Sequence, residues 1–140
     1  MSIPAVLAPV FVQIALTFLL LVWMGRARVG AVMRREVKAP EIVLGQPAWP
    51  PRITLIGNCC HNQLQVPVMF YVLVGFAIVT KKDDLLFVIL AWLFVLLRVA
   101  HAYVHTGTNN MRHRFNIFGA GVFVLAAMWV IFATRILAGI

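Results

Sequence analysis

Four apolar stretches, each bracketed by charge, divide the chain. The first runs from about Pro4 to Met24 and ends at Arg26, Arg28, Arg34 and Arg35. The second lies within Ile53 to Thr80 and is closed by Lys81, Lys82, Asp83 and Asp84. The third begins near Leu85 and stays apolar as far as Arg98, and the fourth covers about Phe115 to Thr134, before Arg135. A helix rises about 1.5 Å per residue, so roughly 20 apolar residues cross a hydrocarbon core about 30 Å thick. The pattern predicts an all-α integral membrane four-helix bundle, one domain over residues 1–140 with helices at about 4–24, 53–79, 85–105 and 115–134.

Composition agrees with that reading. At 63% hydrophobic and 11% charged residues the chain cannot present an ordinary wet surface, and lipid must be its main solvent. The opening MSIPAVLAPVF lacks the basic start of a signal peptide, so the first stretch is read as a span.

Charge then sets an expected orientation. Arg26, Arg28, Arg34, Arg35, Lys38, Arg52, Arg98, Arg112 and Arg114 fall on one side if the helices alternate, against Lys81, Lys82 and Arg135 on the other. The positive-inside rule places the first and third loops in the cytoplasm and both termini outside, in a membrane of the bacterial-inner-membrane or organelle type, the bacterial inner membrane being favoured. The net charge of +8 is thus a topology signal and an attraction for anionic lipid, and gives no reason to invoke nucleic acid. The short KKDD connection makes the second and third helices an antiparallel hairpin. The longer first loop, from about Gly25 to Pro51, is the place for irregular structure over the cytoplasmic mouth.

Polar residues inside the spans are the informative departure, because a bilayer makes them costly. Asn58, His61, Asn62 and Gln65 fall at i, i+3, i+4 and i+7 and so form one narrow stripe on the second helix, while Gln63 points elsewhere. Arg98, His101 and His105 form a second stripe on the third helix, with Tyr103 off it, and Asn109, Asn110, Arg112, His113 and Arg114 follow before the fourth helix. Interhelical hydrogen bonding accounts for part of such a pattern, and snorkelling accounts for an arginine near a helix end. All four acids, Glu36, Glu41, Asp83 and Asp84, lie outside the spans, so Arg98 has no buried carboxylate. The cluster of Arg98, Arg112 and Arg114 with histidines and amides reads as an anion site for a ligand carrying carboxylates or phosphates, met by an apolar co-substrate from the lipid.

Other chemistry is less supported. Cys59 and Cys60 match neither a disulfide framework nor a Cys-x-x-Cys motif and read as small buried residues. His101 and His105 lack the company of a metal site, so no metal is expected.

The residues resemble the membrane-associated proteins in eicosanoid and glutathione metabolism, the MAPEG family, over essentially the whole chain. The resemblance rests on Arg52 opening the second helix, followed by Asn58, Asn62, Gln65, Pro67 and Phe70, on Arg98, His101 and Tyr103 in the third, and on Arg112 and Arg114 leading into the fourth. It is similar to the bacterial branch through GQPAWPPR, NCCHNQLQVPVMFYVLV and RVAHAYVHTGTNNMRHRF, and to microsomal glutathione transferases. The resemblance implies a homotrimer with glutathione as co-substrate between subunits on the cytoplasmic side. It implies glutathione ligands at Arg52, Asn58, Asn62, Gln65, Arg98, His101, Tyr103 and His105, and a thiolate-polarising arginine at Arg114 or Arg112, Arg114 being preferred. Where family enzymes carry a Glu on the second helix this chain has Gln63 or Gln65, and the helical face favours Gln65.

The function expected is a glutathione-dependent membrane enzyme of transferase or peroxidase type, acting on a hydrophobic electrophile or a lipid hydroperoxide. The alternative is a non-catalytic member that binds a lipid or a protein partner. A proton-coupled transporter is third, since the spans contain no acid to carry protons.

Overall fold

Each apolar stretch becomes a helical span, but its ends fall where local chemistry sets them. The computed structural model describes residues 1–43, 45 and 48–140, and all regular structure among them is helical. Helix α1 covers Ile3–Met33, a short α2 covers Ala39–Ile42, α3 Pro51–Asn62, α4 Val66–Val79, α5 Leu85–Thr106 and α6 Met111–Leu137. With α3 and α4 counted as one, four segments are long and apolar enough to cross a membrane.

Two boundaries differ from the sequence expectation, each for a physical reason. Helix α1 continues past the first arginines to Met33, because a helix need not stop where the apolar run does; Arg35, at φ 58°, ends the turn that follows. Helix α6 starts at Met111 because Asn110 caps it, its side-chain oxygen accepting from the His113 N–H at 3.2 Å. Asp84 caps α5 in the same way, accepting from the Phe87 N–H at 3.0 Å, and that helix starts at Leu85 as expected. Of the GQPAWPPR segment, Gln46 and Pro47 lie outside the described residues, as does Leu44 before it.

The second span is not one helix. Pro67 has no N–H to offer the Gln63 carbonyl and its ring crowds that carbonyl, so the chain leaves the helix over residues 63–65. The last turn of α3 tightens to i+3 bonds, with Gln63 N–H donating to the Cys60 carbonyl at 3.0 Å and Leu64 N–H to that of His61 at 2.9 Å. Backbone groups freed inside a membrane must be satisfied by neighbours. Two side chains do so here: Gln63 Nε2 donates to the Cys59 carbonyl at 3.4 Å, and Arg98 Nη2 to the Asn62 carbonyl at 3.2 Å. Gln63 is itself held by α1, where Gln13 Nε2 donates to its Oε1 at 3.0 Å with both side chains fully buried.

Packing fixes the rest. Phe70 of α4 meets Phe94 of α5 with ring centroids 4.8 Å apart, at the centre of a core that continues through Leu73, Ala77, Val95 and Met128. A second small cluster joins Leu20, Cys59, Cys60 and Ala102, so both free cysteines are buried small residues between α1, α3 and α5. Lipid tails are as apolar as leucine, so these contacts stabilise by close packing rather than by removal from water. Gly57 of α3 leaves room for the Arg28 side chain of α1: a Cβ there would sit 3.2 Å from Arg28 Nη2. At the opposite end the Met1 amino group pairs with Asp83 at 3.2 Å and Arg135 with Asp84 at 2.8 Å.

Candidate functional site

The second span opens on two clefts. Asn62 and Gln65 open on a cleft of about 400 Å³ between the α3–α4 break, α5 and the start of α6. Asn58 and His61 instead line a separate cleft of about 410 Å³, with Arg28, Trp49 and Thr54. The single stripe expected for Asn58, His61, Asn62 and Gln65 therefore does not open on one cleft: Asn58, His61 and Asn62 share the unbroken α3 but spread over about 100° of its surface, and only Gln65 lies past the break.

The α5 stripe keeps its register because α5 is unbroken. His101 and His105 both face the first cleft, one helical turn apart, with ring centroids 5.5 Å apart and edge-on at 74°. Each Nδ1 is buried without a partner among the described residues. Arg114 enters from α6 and donates through Nη1 to Asn109 Oδ1 at 2.8 Å. The remaining wall is apolar: Met111, Phe115 and Phe118 project from α6, Met111 and Phe115 largely exposed to the surrounding lipid. One side of the cleft is thus polar and cationic, and the other is greasy.

Arg98 lies behind this cleft rather than on its wall. It is 1% exposed, its guanidinium carbon sits 5.7 Å from the Phe118 ring centroid, and its Nε is buried without a partner. That exposure rules out snorkelling as described for arginines near helix ends. Its one hydrogen bond goes to the Asn62 carbonyl, and no ion pair among the described residues includes it. A guanidinium so placed is strongly disfavoured unless an anion shares its field.

The other expected ligands lie elsewhere in the chain. Arg112 is exposed and does not line the cleft, whereas Arg114 does. Arg52 and Tyr103 are on another face: Arg52 Nη1 donates to the Thr106 carbonyl, and Tyr103 is 79% exposed beside α1. Two residues passed over in the sequence acquire roles. Gln13 was legible as a lone amide in an apolar span and proves to hold Gln63. Arg28, counted only as a topology charge, stacks on Trp49 with its guanidinium carbon 5.0 Å from the ring centroid and enters the second cleft.

The fold and cleft define a class: an integral membrane four-helix bundle with a cationic, half-apolar cleft at its arginine-rich end. A family model for the MAPEG family matches residues 6–134, and the chain belongs to that family. Neither the curated proteins nor the solved structures searched contain a match.

Proposed function

We propose that this protein is a glutathione-dependent membrane enzyme of transferase or peroxidase type, similar to the bacterial and microsomal members of its family. The observation that carries this reading is the pair Arg98 and Arg114 at a 400 Å³ cleft with no carboxylate in its lining. Glutathione has a carboxylate to meet Arg98, amides to meet Asn62 and Gln65, and a thiol to place by Arg114 near the mouth. Arginine binds carboxylates through parallel N–H groups and stays charged, which favours it over lysine in a partly dry site.

Arg114 is the residue that polarises the thiol. A thiol with a pKa of about 8.5 is mostly protonated at neutral pH, and lowering it by two units requires about 2.7 kcal/mol of preferential stabilisation of the anion. A fixed guanidinium in a site of reduced dielectric supplies that amount. The thiolate then displaces a leaving group from a hydrophobic electrophile, forming an S–C bond. With a lipid hydroperoxide it instead attacks the terminal oxygen and cleaves the O–O bond, giving the lipid alcohol and a glutathione sulfenic acid, which a second glutathione converts to the disulfide with release of water. Met111, Phe115 and Phe118 offer the apolar partner a wall reached directly from the bilayer.

The functional unit is a homotrimer in this reading, with glutathione held between neighbouring subunits. A mass in mild detergent of three protomers agrees with it; monomer alone in several detergents removes the intersubunit site. The site itself is tested by titrating purified protein with glutathione and its S-alkyl analogue. Saturable binding that Arg114→Leu leaves largely intact, with loss of the ultraviolet thiolate signal, is the expected result. No saturable binding to the native protein overturns the proposal. Gln65 in place of the usual Glu favours the second reading, a member that binds without turnover, and saturable binding with no conjugation or peroxide reduction would select it.

A further inference from the structure

Arg52 and Tyr103, which the cleft does not use, meet at a groove on another face of the bundle. Leu16, Leu19 and Trp23 of α1 and Val99, Tyr103 and Thr106 of α5 line it, enclosing about 210 Å³ of almost wholly apolar space. Arg52 closes its arginine-rich end. Its guanidinium carbon lies 5.6 Å from the Trp23 ring centroid, and its Nη1 donates to the carbonyl of Thr106. Leu19 and Tyr103, at 62% and 79% exposed, stand open to the surrounding lipid.

Depth and charge identify the occupant. From Leu16 to Trp23 the groove follows α1 for about 10 Å along the helix axis, from the apolar interior toward the interface. Tryptophan and tyrosine settle at headgroup level, so Trp23 and Tyr103 mark where hydrocarbon gives way to headgroups. Arg52 stands at that level. One of its five N–H groups is used on Thr106, and the ion pairs among the described residues, Met1–Asp83, Arg34–Glu36 and Arg135–Asp84, do not include it. An exposed guanidinium without a carboxylate, above an apolar channel open to lipid, is complementary to a phosphodiester with a hydrocarbon chain below it. We infer that this groove binds one phospholipid, its phosphate on Arg52 and one acyl chain between α1 and α5. The site is separate from the glutathione cleft and does not depend on it.

The test is native mass spectrometry of the purified full chain after exchange into detergent containing either phosphatidylglycerol or phosphate-free diacylglycerol. The native protein is expected to retain one phosphatidylglycerol per chain and little diacylglycerol. Arg52→Gln should lower that retention by about tenfold, the scale of losing a charged hydrogen-bond partner. Leu19→Trp, which fills the groove from its exposed side without touching Arg52, should lower it as well, and Arg35→Gln should not. Retention unchanged in Arg52→Gln, or lowered equally by Arg35→Gln, overturns the inference in favour of diffuse attraction to a basic surface. An assembly that loses subunits in Leu19→Trp while its lipid content stays fixed overturns it in favour of a second copy of this chain on the groove.

Discussion

The second and third spans carry similar polar loads at similar depth, yet they meet the cost in different ways. Helix α5 is unbroken, so its backbone satisfies itself and its polar side chains are free to face a ligand: His101 and His105 line the cleft. The α3–α4 span is broken by Pro67, and three of its neighbouring groups serve the break instead. Gln63 reaches the Cys59 carbonyl, Gln13 holds Gln63, and Arg98 caps Asn62. A polar residue inside a membrane is therefore not by itself a ligand-binding residue. Whether it faces the backbone or the cleft depends on the continuity of the helix beside it.

Arg98 stands at the junction of the two spans, and its replacement should have the largest effect. Arg98→Leu is expected to weaken glutathione binding by about 2 kcal/mol or more. The change also removes the donor to the Asn62 carbonyl, so the ligand-free variant should be less stable by the scale of one lost hydrogen bond, about 1–2 kcal/mol. The thermal shift that glutathione gives the native protein should vanish. A ligand-induced shift of native size in Arg98→Leu would separate Arg98 from the site.

The amide pair comes next. Gln13→Leu leaves the Gln63 Oε1 buried without a donor and should destabilise the protein by about 1–2 kcal/mol in a detergent unfolding titration. Adding Gln63→Leu should recover part of that loss, because two apolar groups need no partners, though the Cys59 carbonyl then lacks its side-chain donor. Full additivity of the two single changes would show that the pair does not interact.

Pro67→Ala sharpens the comparison from the other side. It supplies the missing N–H for the Gln63 carbonyl and should slow amide exchange across 63–67, making the second span resemble α5. Glutathione affinity should fall at the same time, since Gln65 would be drawn out of its present place on the cleft. Exchange unchanged at 63–67 would mean that something other than Pro67 holds the break.

The smallest effect lies at the opposite end. The Arg135 guanidinium beside Asp84 holds its carboxyl below the usual aspartate range, with the Phe87 N–H adding to the shift. A depressed folded-state value means the contribution is fully present above the ordinary carboxylate range and is lost as pH falls through the lowered value. Asp84 is 45% exposed, so screening keeps the effect within about 1 kcal/mol and makes it smaller in high salt. Arg135→Gln should flatten that part of the acid-unfolding profile, and an unchanged profile would assign the acid sensitivity elsewhere.

The sequence made the spans legible because apolar length is a direct physical requirement of the bilayer, and the α5 stripe followed from helical periodicity alone. The break was harder to see. Pro67 was visible, but proline is tolerated in many membrane helices, and only the packed neighbours Gln13 and Arg98 determine whether the chain kinks or opens. The position of Gln65 relative to α3 depends on that tertiary choice, whereas Tyr103 and His101, two residues apart on the unbroken α5, are separated by helical periodicity alone. Arg112 and Arg114 posed a similar problem: two residues apart on α6, they differ by about 200° around the helix, so the start of α6 and its packing determine which one meets the cleft.

The most direct test is a structure of the protein in lipid bilayers with S-hexylglutathione, determined by electron microscopy. The account predicts density in the cleft between Gln65, His105 and Arg114, with a carboxylate in the field of Arg98 and the hexyl chain along Phe115 and Phe118. An empty cleft at saturating ligand, or the ligand bound away from Arg98 and Arg114, would contradict it.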